Sequence, residues 1–361
     1  MPDPLIINTD RGLYCPAGDF HIDAWAPVER NIVTHAHSDH ARRGSKKYLT
    51  APDNVPFMRK RLGADIAVTP LAWGEEIRFA DVLITLHPAG HIRGSSQVRL
   101  ERGGEIWVFT GDYKLQPDPT CARFELIRCH TLITECTFGL PLYRWRDPAI
   151  THSAINDWWR RNAAEGRNSV ILAYALGKSQ RVLSGLDPAI GGILLHGAVQ
   201  EVVELYRASG VSLPPTLHAN AENAKAHKGK ALIVAPPGAL NSPWARKFNP
   251  LSVGVASGWM QVRGFRRRQA ADRGFVLSDH VDWPGLLDTI AATGAQRVIA
   301  THGYTGPLVR FLKERGMDAV EFATRFKGEG DDEEVPAHLP HAADGSPAAA
   351  GADGPSAAAG G

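Results

Sequence analysis

Short apolar runs alternate along the chain with Gly, Pro, Asn and Asp, and this pattern predicts an α/β fold. Runs rich in Val, Ile, Leu and Ala are the predicted strands, at 31–34, 82–86, 106–110, 131–134, 169–173, 192–195, 231–235, 252–256, 274–277 and 297–300. Stretches with helical spacing of apolar positions are the predicted helices, at 153–164, 198–208, 283–292 and 307–314.

The end of the chain differs in composition. Residues 328–361 contain seven acidic residues and no Lys or Arg, and they run into Ala, Gly, Pro and Ser. Because this segment has too few apolar residues to offset the entropy of ordering, we predict that 327–361 is disordered. Residues 1–327 carry 40 basic and 31 acidic residues, a net charge of +9. Such a body suits a polyanionic partner, although solubility alone is another explanation.

The remaining composition predicts a soluble protein. Apolar residues make up 43% of the chain and charged residues 22%, and no window reaches the roughly 18 apolar residues that a membrane helix needs. The first 15 residues lack the pattern of a signal peptide. The four cysteines show no C-x-x-C spacing. We therefore expect a cytoplasmic protein with reduced thiols and no membrane association.

Metal-competent side chains follow four of the predicted strands, at the point where each strand ends. These residues are His35, His37, Asp39, His40, His91, Asp112 and His302. Because strand ends at one edge of a sheet converge, the side chains can reach a common centre. His and Asp are ligands that zinc accepts, and seven ligands are too many for one tetrahedral ion. The set therefore predicts two ions that share a carboxylate.

The segment T-H-A-H-S-D-H carries the strongest signal. Alternate residues of an extended segment point the same way, so His35 and His37 can share one ion, and Asp39 and His40 can face a second after the turn. A single histidine is more often an ordinary core or surface residue. His91, Asp112 and His302 are therefore weak candidates one by one, and the cluster at 35–40 strengthens their assignment as metal ligands.

T-H-A-H-S-D-H resembles the signature of the metallo-β-lactamase superfamily, and P-A-G-H-I-R-G-S and T-G-D resemble its next two ligand motifs. L-I-T-E-C-T-F-G, L-S-D-H-V-D-W and A-T-H-G resemble segments of the β-CASP nucleases within it. Over about 1–326 the chain looks most similar to the bacterial ligase-associated DNA exonuclease family. The resemblance implies an αββα sandwich from 1–145 and 271–326, with an inserted β-CASP-like cap at 146–270.

The resemblance also implies a role for each ligand. His35, His37 and His91 would hold one zinc ion, Asp39, His40 and His302 would hold the other, and Asp112 would bridge them. Two Zn²⁺ ions are expected, with Mn²⁺ or Mg²⁺ as substitutes in vitro. The pair of ions would lower the pKa of a water that attacks phosphorus. Asp39 belongs to the catalytic as well as the metal-binding set.

Glu135 and His280 complete the catalytic set that the resemblance implies. His280 would contact the scissile phosphate or protonate the leaving oxygen, and Glu135 would orient its ring. A structural histidine in a turn and an ordinary surface carboxylate are the alternatives for these two positions.

Other residues are candidates for contact with nucleic acid. They are Arg42, Arg43, Ser257, Gly258, Arg263, Arg266, Arg267 and Arg268. Basic residues interleaved with Trp259 and Phe265 suit a phosphate backbone and stacked bases. A plain turn at 257–258 and a solvated helix face at 263–268 are equally good explanations. Gly177-Lys178-Ser179 lacks the earlier glycine of a P-loop, and we predict that it begins a cap helix instead.

Together these features predict two-zinc hydrolysis of DNA by an exonuclease that processes ends beside a DNA ligase. A β-CASP ribonuclease is the main alternative, because a histidine at the last motif, here His302, is commonly associated with RNA enzymes. A hydrolase of lactams or thioesters would lack the Glu135 and His280 pattern and the cap. A non-enzymatic scaffold that binds ends beside a ligase would have lost ligands, and no ligand is missing here.

Overall fold

The strands of the chain form three sheets in the computed structural model, which describes residues 4–264 and 271–323. Arg266, Arg267, Arg268 and the predicted disordered tail at 327–361 lie outside the described residues. All ten predicted strands and all four predicted helices overlap elements of the structure. The α/β class is therefore confirmed.

The first sheet has six strands in chain order: β1 (Ile7–Thr9), β2 (Gly12–Cys15), β3 (Phe20–Ile22), β4 (Arg30–Ile32), β5 (Lys47–Thr50) and β6 (Val68–Pro70). Its first two pairings are antiparallel and the other three are parallel. Helix α1 (Val55–Leu62) covers one face. Successive residues of a strand point to opposite faces, so Tyr48 packs with α1 whereas Leu49 faces the second sheet.

The second sheet has seven strands: β7 (Glu76–Phe79), β8 (Val82–Pro88), β9 (Ser96–Arg102), β10 (Glu105–Phe109), β11 (Thr131–Cys136), β18 (Arg297–Gly303) and β19 (Asp318–Glu321). Strands β7 to β10 form an antiparallel meander, and β10, β11, β18 and β19 are parallel. Gly103 and Gly104, both with positive φ, make the tight loop between β9 and β10.

The third sheet has six strands: β12 (Asn168–Leu172), β13 (Ile193–Leu195), β14 (Leu217–His218), β15 (Leu232–Ala235), β16 (Leu251–Ala256) and β17 (Arg273–Phe275). All its pairings among the described residues are parallel. Its helices are α2 (Pro148–Ala164), α3 (Lys178–Leu183), α4 (Gly197–Ala208) and α5 (Ala221–Ala226). Parallel strands covered on both faces read as continuous apolar runs, which is why the sequence pattern identified most of them.

Two cores hold the first two sheets. One lies between them, where Ile32 and Leu49 meet Leu100, Phe109 and Ile299. The other lies between the second sheet and two helices, α6 (Trp283–Thr293) and α7 (Thr305–Lys313). The carboxyl ends of β10 and β11 and the last residues of β18 are thereby held at one edge of a rigid layer.

Helix α4 joins the third sheet to the first. Val199 and Val203 pack with the core of the third sheet, whereas Val202 and Tyr206 pack with α1. The rings of Tyr206 and Phe57 lie 5.2 Å apart. None of the helices in residues 4–264 and 271–323 combines the length and apolar character needed to cross a membrane.

Candidate metal centre

The seven predicted ligands converge where β4, β8, β10 and β18 end. Three groups of side chains at this place have atoms close enough to hold a metal ion. They are His35 with His37, His91 and Asp112; His35 with Asp39 and His40; and Asp112 with Glu135 and His280. All these side chains are buried or half-buried. Of the seven predicted ligands, only His302 belongs to none of the three groups.

Three imidazoles form the tightest part of the centre. His37 Nδ1 lies 3.1 Å from His35 Nε2 and 3.1 Å from His91 Nε2. Zn–N bonds of about 2.0–2.1 Å in a tetrahedron place neighbouring nitrogens about 3.3 Å apart. The spacing of the three nitrogens therefore matches a single metal ion.

The hydrogen bonds on the far side of each ring assign the tautomers. His37 Nε2 donates to the carbonyl of Leu176 at 3.1 Å, and His91 Nδ1 donates to the carbonyl of Asp279 at 2.7 Å. His35 Nδ1 lies 3.1 Å from Thr34 Oγ1, which itself donates elsewhere and so accepts here. With each proton on the outer nitrogen, three lone pairs face one another, an arrangement that suits a bound metal cation.

Asp112 lies at the middle of the centre. Its Oδ2 is 3.6 Å from His35 Nε2, 3.8 Å from His91 Nε2 and 3.4 Å from His40 Nε2. It therefore borders both the three-histidine group and the pair formed by Asp39 and His40. This is the position expected of a shared carboxylate.

His40 is held from behind by a buried carboxylate that the sequence did not reveal. His40 Nδ1 donates to Asp23 at 2.7 Å, and Asp23 also accepts from the backbone and hydroxyl of Thr34. His40 Nε2 then lies 3.4 Å from Asp39 and makes no hydrogen bond with any described residue. A buried ring nitrogen that points at carboxylates without a hydrogen bond fits a metal ligand.

His302 reaches the centre through a β-bulge. Glu135 pairs with Thr301 and Cys136 pairs with Gly303, so His302 is the extra residue of β18. Its φ is +52°, which is uncommon outside glycine. The ring stacks on His40 with 5.0 Å between centroids. The bulge therefore turns His302 toward the Asp39 and His40 side.

Glu135 and His280 form a tightly held pair beside Asp112. His280 Nδ1 lies 3.0 Å from both carboxylate oxygens of Glu135. Glu135 also accepts from the backbone of Tyr113 at 2.8 Å, so its orientation is fixed. The indole of Trp145 donates to the carbonyl of His280 at 2.8 Å. Glu135 is buried within β11, which is contrary to the ordinary surface carboxylate that was the alternative.

The electrostatics of the centre favour a cation. Burial lowers the pKa of His35 and of His91 well below the ordinary value for histidine, and neighbouring imidazoles add to this effect. Burial also opposes protonation of His40, but the carboxylates around it raise its pKa well above the ordinary value. The neutral rings are in the form that binds metal, and the carboxylates attract positive charge.

The residues predicted to contact nucleic acid are dispersed. Arg43 is exposed and lies 3.6 Å from Asp65, and Arg42 is half-buried. Ser257 is buried and accepts from the backbone of Trp259, as a turn residue does, and Gly258 is packed against Phe138. Arg263 is exposed, and the other three arginines lie outside the described residues.

No family model matches the chain. The chain is 32% identical over 319 residues to a probable DNA ligase of Opitutus terrae, a match that covers 88% of this chain and 31% of that protein. It is 26% identical over 213 residues to the transcription termination factor FttA of a Lokiarchaeum, covering 56% of this chain and 32% of the relative. The chain thus spans about a third of the length of these two relatives.

Two further comparisons add to this. The endoribonuclease YSH1 of Gibberella zeae is 30% identical over 114 residues, which cover 30% of this chain and 13% of that protein. A crystal structure of a protein of unknown function from Enterococcus faecalis superposes with a TM-score of 0.56 at 14% identity, covering 83% of this chain and 80% of the other. The last comparison shows a shared fold.

Proposed function

We propose that the chain is a two-metal nuclease of the metallo-β-lactamase superfamily, of the β-CASP type, that hydrolyses phosphodiester bonds in DNA. The observation that carries the proposal is the buried set of histidines and aspartates around Asp112, whose nitrogens and oxygens have the spacing of metal ligands. The names of the relatives support it, because they include a DNA ligase and an endoribonuclease.

The domain organisation belongs to the same proposal. Residues 1–145 and 271–326 would form the αββα sandwich, with two facing sheets between outer helices. Residues 146–270 would form the inserted cap, built on the third sheet. The two facing sheets with helices α1, α6 and α7 on their outer faces support this division.

Each group of residues would hold one Zn²⁺ ion, with Mn²⁺ or Mg²⁺ as substitutes in vitro. His35, His37 and His91 would bind the first, and the second would lie with Asp39, His40 and His302. Asp112 borders both groups and would be shared. When bound, the ions would supply an activated water and stabilise negative charge on the phosphate.

His280 would act on the substrate and Glu135 would position it. Because Nδ1 donates to Glu135, His280 would meet a phosphate or leaving oxygen through Nε2 and transfer a proton from that atom. Glu135 is itself fixed by the backbone of Tyr113, so it would hold the ring at one angle.

DNA is the favoured substrate because the match to the probable DNA ligase covers 88% of the chain, whereas the match to the endoribonuclease covers 30%. The same match links the chain to a DNA-joining protein, and we extend the proposal to an exonuclease that processes DNA ends together with a DNA ligase. The second candidate is an RNA nuclease. His302 supports it, because a histidine at the last motif is commonly associated with RNA enzymes among the β-CASP nucleases. A metal centre contacts the phosphate in either polymer, so only contacts to the sugar 2′-hydroxyl can discriminate.

The test is a competition between end-labelled DNA and RNA strands of one sequence, at a stated salt concentration. We expect the DNA strand to be cut from its end and the RNA strand to be cut more slowly. Preferential cleavage of RNA would show that the substrate is RNA and would leave the proposed metal chemistry unchanged. Cleavage of neither strand at any metal loading would contradict the proposed function.

A further inference from the structure

Five charged side chains are buried together behind the metal centre. The exposed fractions are 0–1% for the cations Lys114, Lys178 and Arg181, and 3–4% for the carboxylates Asp118 and Asp279. Lysine, arginine and aspartate are almost never fully buried unless they are paired. A buried ion pair is also rarely more stabilising than apolar packing. Stability alone is therefore a weak explanation for this cluster.

The cluster is centred on Asp279, the residue before His280. One oxygen of Asp279 lies 3.0 Å from Lys178 Nζ. The other lies 3.4 Å from the Arg181 guanidinium and 3.8 Å from Lys114 Nζ. Arg181 also donates to the carbonyl of Ser278. The backbone on the amino side of His280 is thus fixed by charges from α3.

The same cluster holds His91 from two directions. The carbonyl of Asp279 accepts the hydrogen bond of His91 Nδ1 at 2.7 Å. Lys114 Nζ donates to the carbonyl of His91 at 3.0 Å and to Asp118 at 2.6 Å. The orientation of His91 therefore depends on where the cluster places Asp279.

The start of α3 makes a third contact with the centre. The carbonyl of Leu176, two residues before Lys178, accepts the hydrogen bond of His37 Nε2. Gly177 lies between them with a φ of +90°, and a Cβ there would be 2.3 Å from Ile92. The backbone of α3 thus lies directly against the loop that carries His91.

We propose that Lys178 and Arg181 of α3, together with Lys114, Asp118 and Asp279, are positioning residues for the metal centre. This inference rests on the proposed function, since it requires that His37 and His91 bind metal. The part of the chain that carries the third sheet would then help to shape the centre. Outer partners of metal-binding histidines are typically worth about 10–100-fold in metal affinity or activity.

The test compares substitutions of Lys178 in the full chain. Lys178→Met removes the charge and keeps most of the length of the unbranched side chain, and Lys178→Arg keeps the charge. The readouts are zinc affinity by chelator competition and the absorption spectrum of the Co²⁺-loaded protein. We expect Lys178→Met to weaken zinc binding by about 10–100-fold and to alter the spectrum, and Lys178→Arg to lose less.

Lys60→Met is the matched control, because Lys60 of α1 pairs with Glu201 of α4 and so also links the third-sheet region to the first. That pair is partly exposed, and neither residue belongs to the groups that could hold a metal among the described residues. Its affinity and spectrum should match those of the wild type. If Lys178→Met is unstable, Lys178→Met/Asp279→Asn removes one cation and one anion together and should show the same loss of zinc affinity.

Wild-type affinity and spectrum in both Lys178→Met variants, with a change in thermal stability alone, would overturn the inference and reduce the cluster to a structural role. A wild-type protein that binds no metal would instead contradict the proposed function. The two failures are therefore distinguishable.

Discussion

The centre depends on which ring nitrogen of each histidine carries the proton. The outer nitrogens of His35, His37 and His91 each have a hydrogen-bond partner of their own, namely Thr34 Oγ1 and the carbonyls of Leu176 and Asp279. The inner nitrogens must therefore present lone pairs to one another. Hydrogen bonds remote from the ligands thus determine whether the ligands can bind a metal.

Asp23→Asn tests this at His40. The amide that replaces the carboxylate would offer either a donor or a weaker acceptor to His40 Nδ1, so the ring would lose its fixed orientation. We expect metal affinity to fall by about 10–100-fold, measured by chelator competition. Asp19→Asn is the control, because Asp19 is exposed and pairs with Arg30 at 3.5 Å. Equal affinity in the two variants would show that Asp23 does not orient His40.

His280→Ala separates metal binding from chemistry. If His280 acts on the phosphate, the variant should keep both ions by elemental analysis and lose on the order of 10²–10⁴ in the single-turnover rate. Glu135→Gln should lose less, because one acceptor for Nδ1 remains. The atoms of Asp112, Glu135 and His280 are also close enough to hold an ion. Loss of one ion from His280→Ala would therefore assign His280 to metal binding instead.

At the scale of elements, the contact between α3 and the His91 loop is the most restrictive. Gly177→Ala adds a Cβ 2.3 Å from Ile92, whereas Gly210→Ala at a similar φ of +85° adds one with no described atom within 4 Å. Both substitutions should cost roughly 1–3 kcal/mol in backbone strain. Gly177→Ala should cost roughly a further 1–3 kcal/mol for overpacking. Urea denaturation gives the free energy of unfolding of both variants. Equal losses would show that the loop carrying His91 moves away from the added Cβ at no cost.

The sequence revealed the elements and residues whose signal is local. The apolar runs of the third sheet and the T-H-A-H-S-D-H spacing lie within a few neighbouring residues. Asp23 reaches His40 from 17 positions away, and Lys178 reaches Asp279 only through the fold. The bulge at His302 needs the register of β11 against β18. A sequence pattern does not show which distant residues the fold brings into contact.

Some elements were missed for local reasons. Strands β1 to β3 have three or four residues each and are separated by Gly, Asp and Pro, which predict turns. Helix α2 begins at Pro148, five residues before the predicted start, because Asp147 caps it and proline suits the first turn. Helix α3 at Lys178 confirms the prediction that Gly177-Lys178-Ser179 begins a helix.

At the scale of the whole molecule, the buried ion cluster makes stability sensitive to acid. Burial opposes ionisation of Asp118, but Lys114 and Arg181 outweigh it and hold the pKa of this carboxyl below its usual range. The stabilisation that ionised Asp118 contributes is present above the pKa of about 3.9 that its carboxyl has in the unfolded chain. It is lost as the pH falls through the lower pKa of the folded protein. The wild-type free energy of unfolding should therefore decline below about pH 4.

Asp118→Asn should remove part of this decline. Urea unfolding of both proteins at a series of pH values, with chelator present throughout, isolates the carboxyl from the loss of metal. We expect a shallower pH dependence in the variant below about pH 4. If the free energy of unfolding depends on pH identically in the two proteins, Asp118 does not contribute stability through its charge.

The most direct measurement is a metal titration of nuclease activity. The protein is stripped with chelator, Zn²⁺ is added back in known ratios, and cleavage of an end-labelled DNA strand is followed. We expect no cleavage in the stripped protein, recovery that is complete at about two ions per chain, and no recovery in Asp112→Ala. Full cleavage in the presence of chelator, or normal recovery in Asp112→Ala, would contradict the two-metal nuclease.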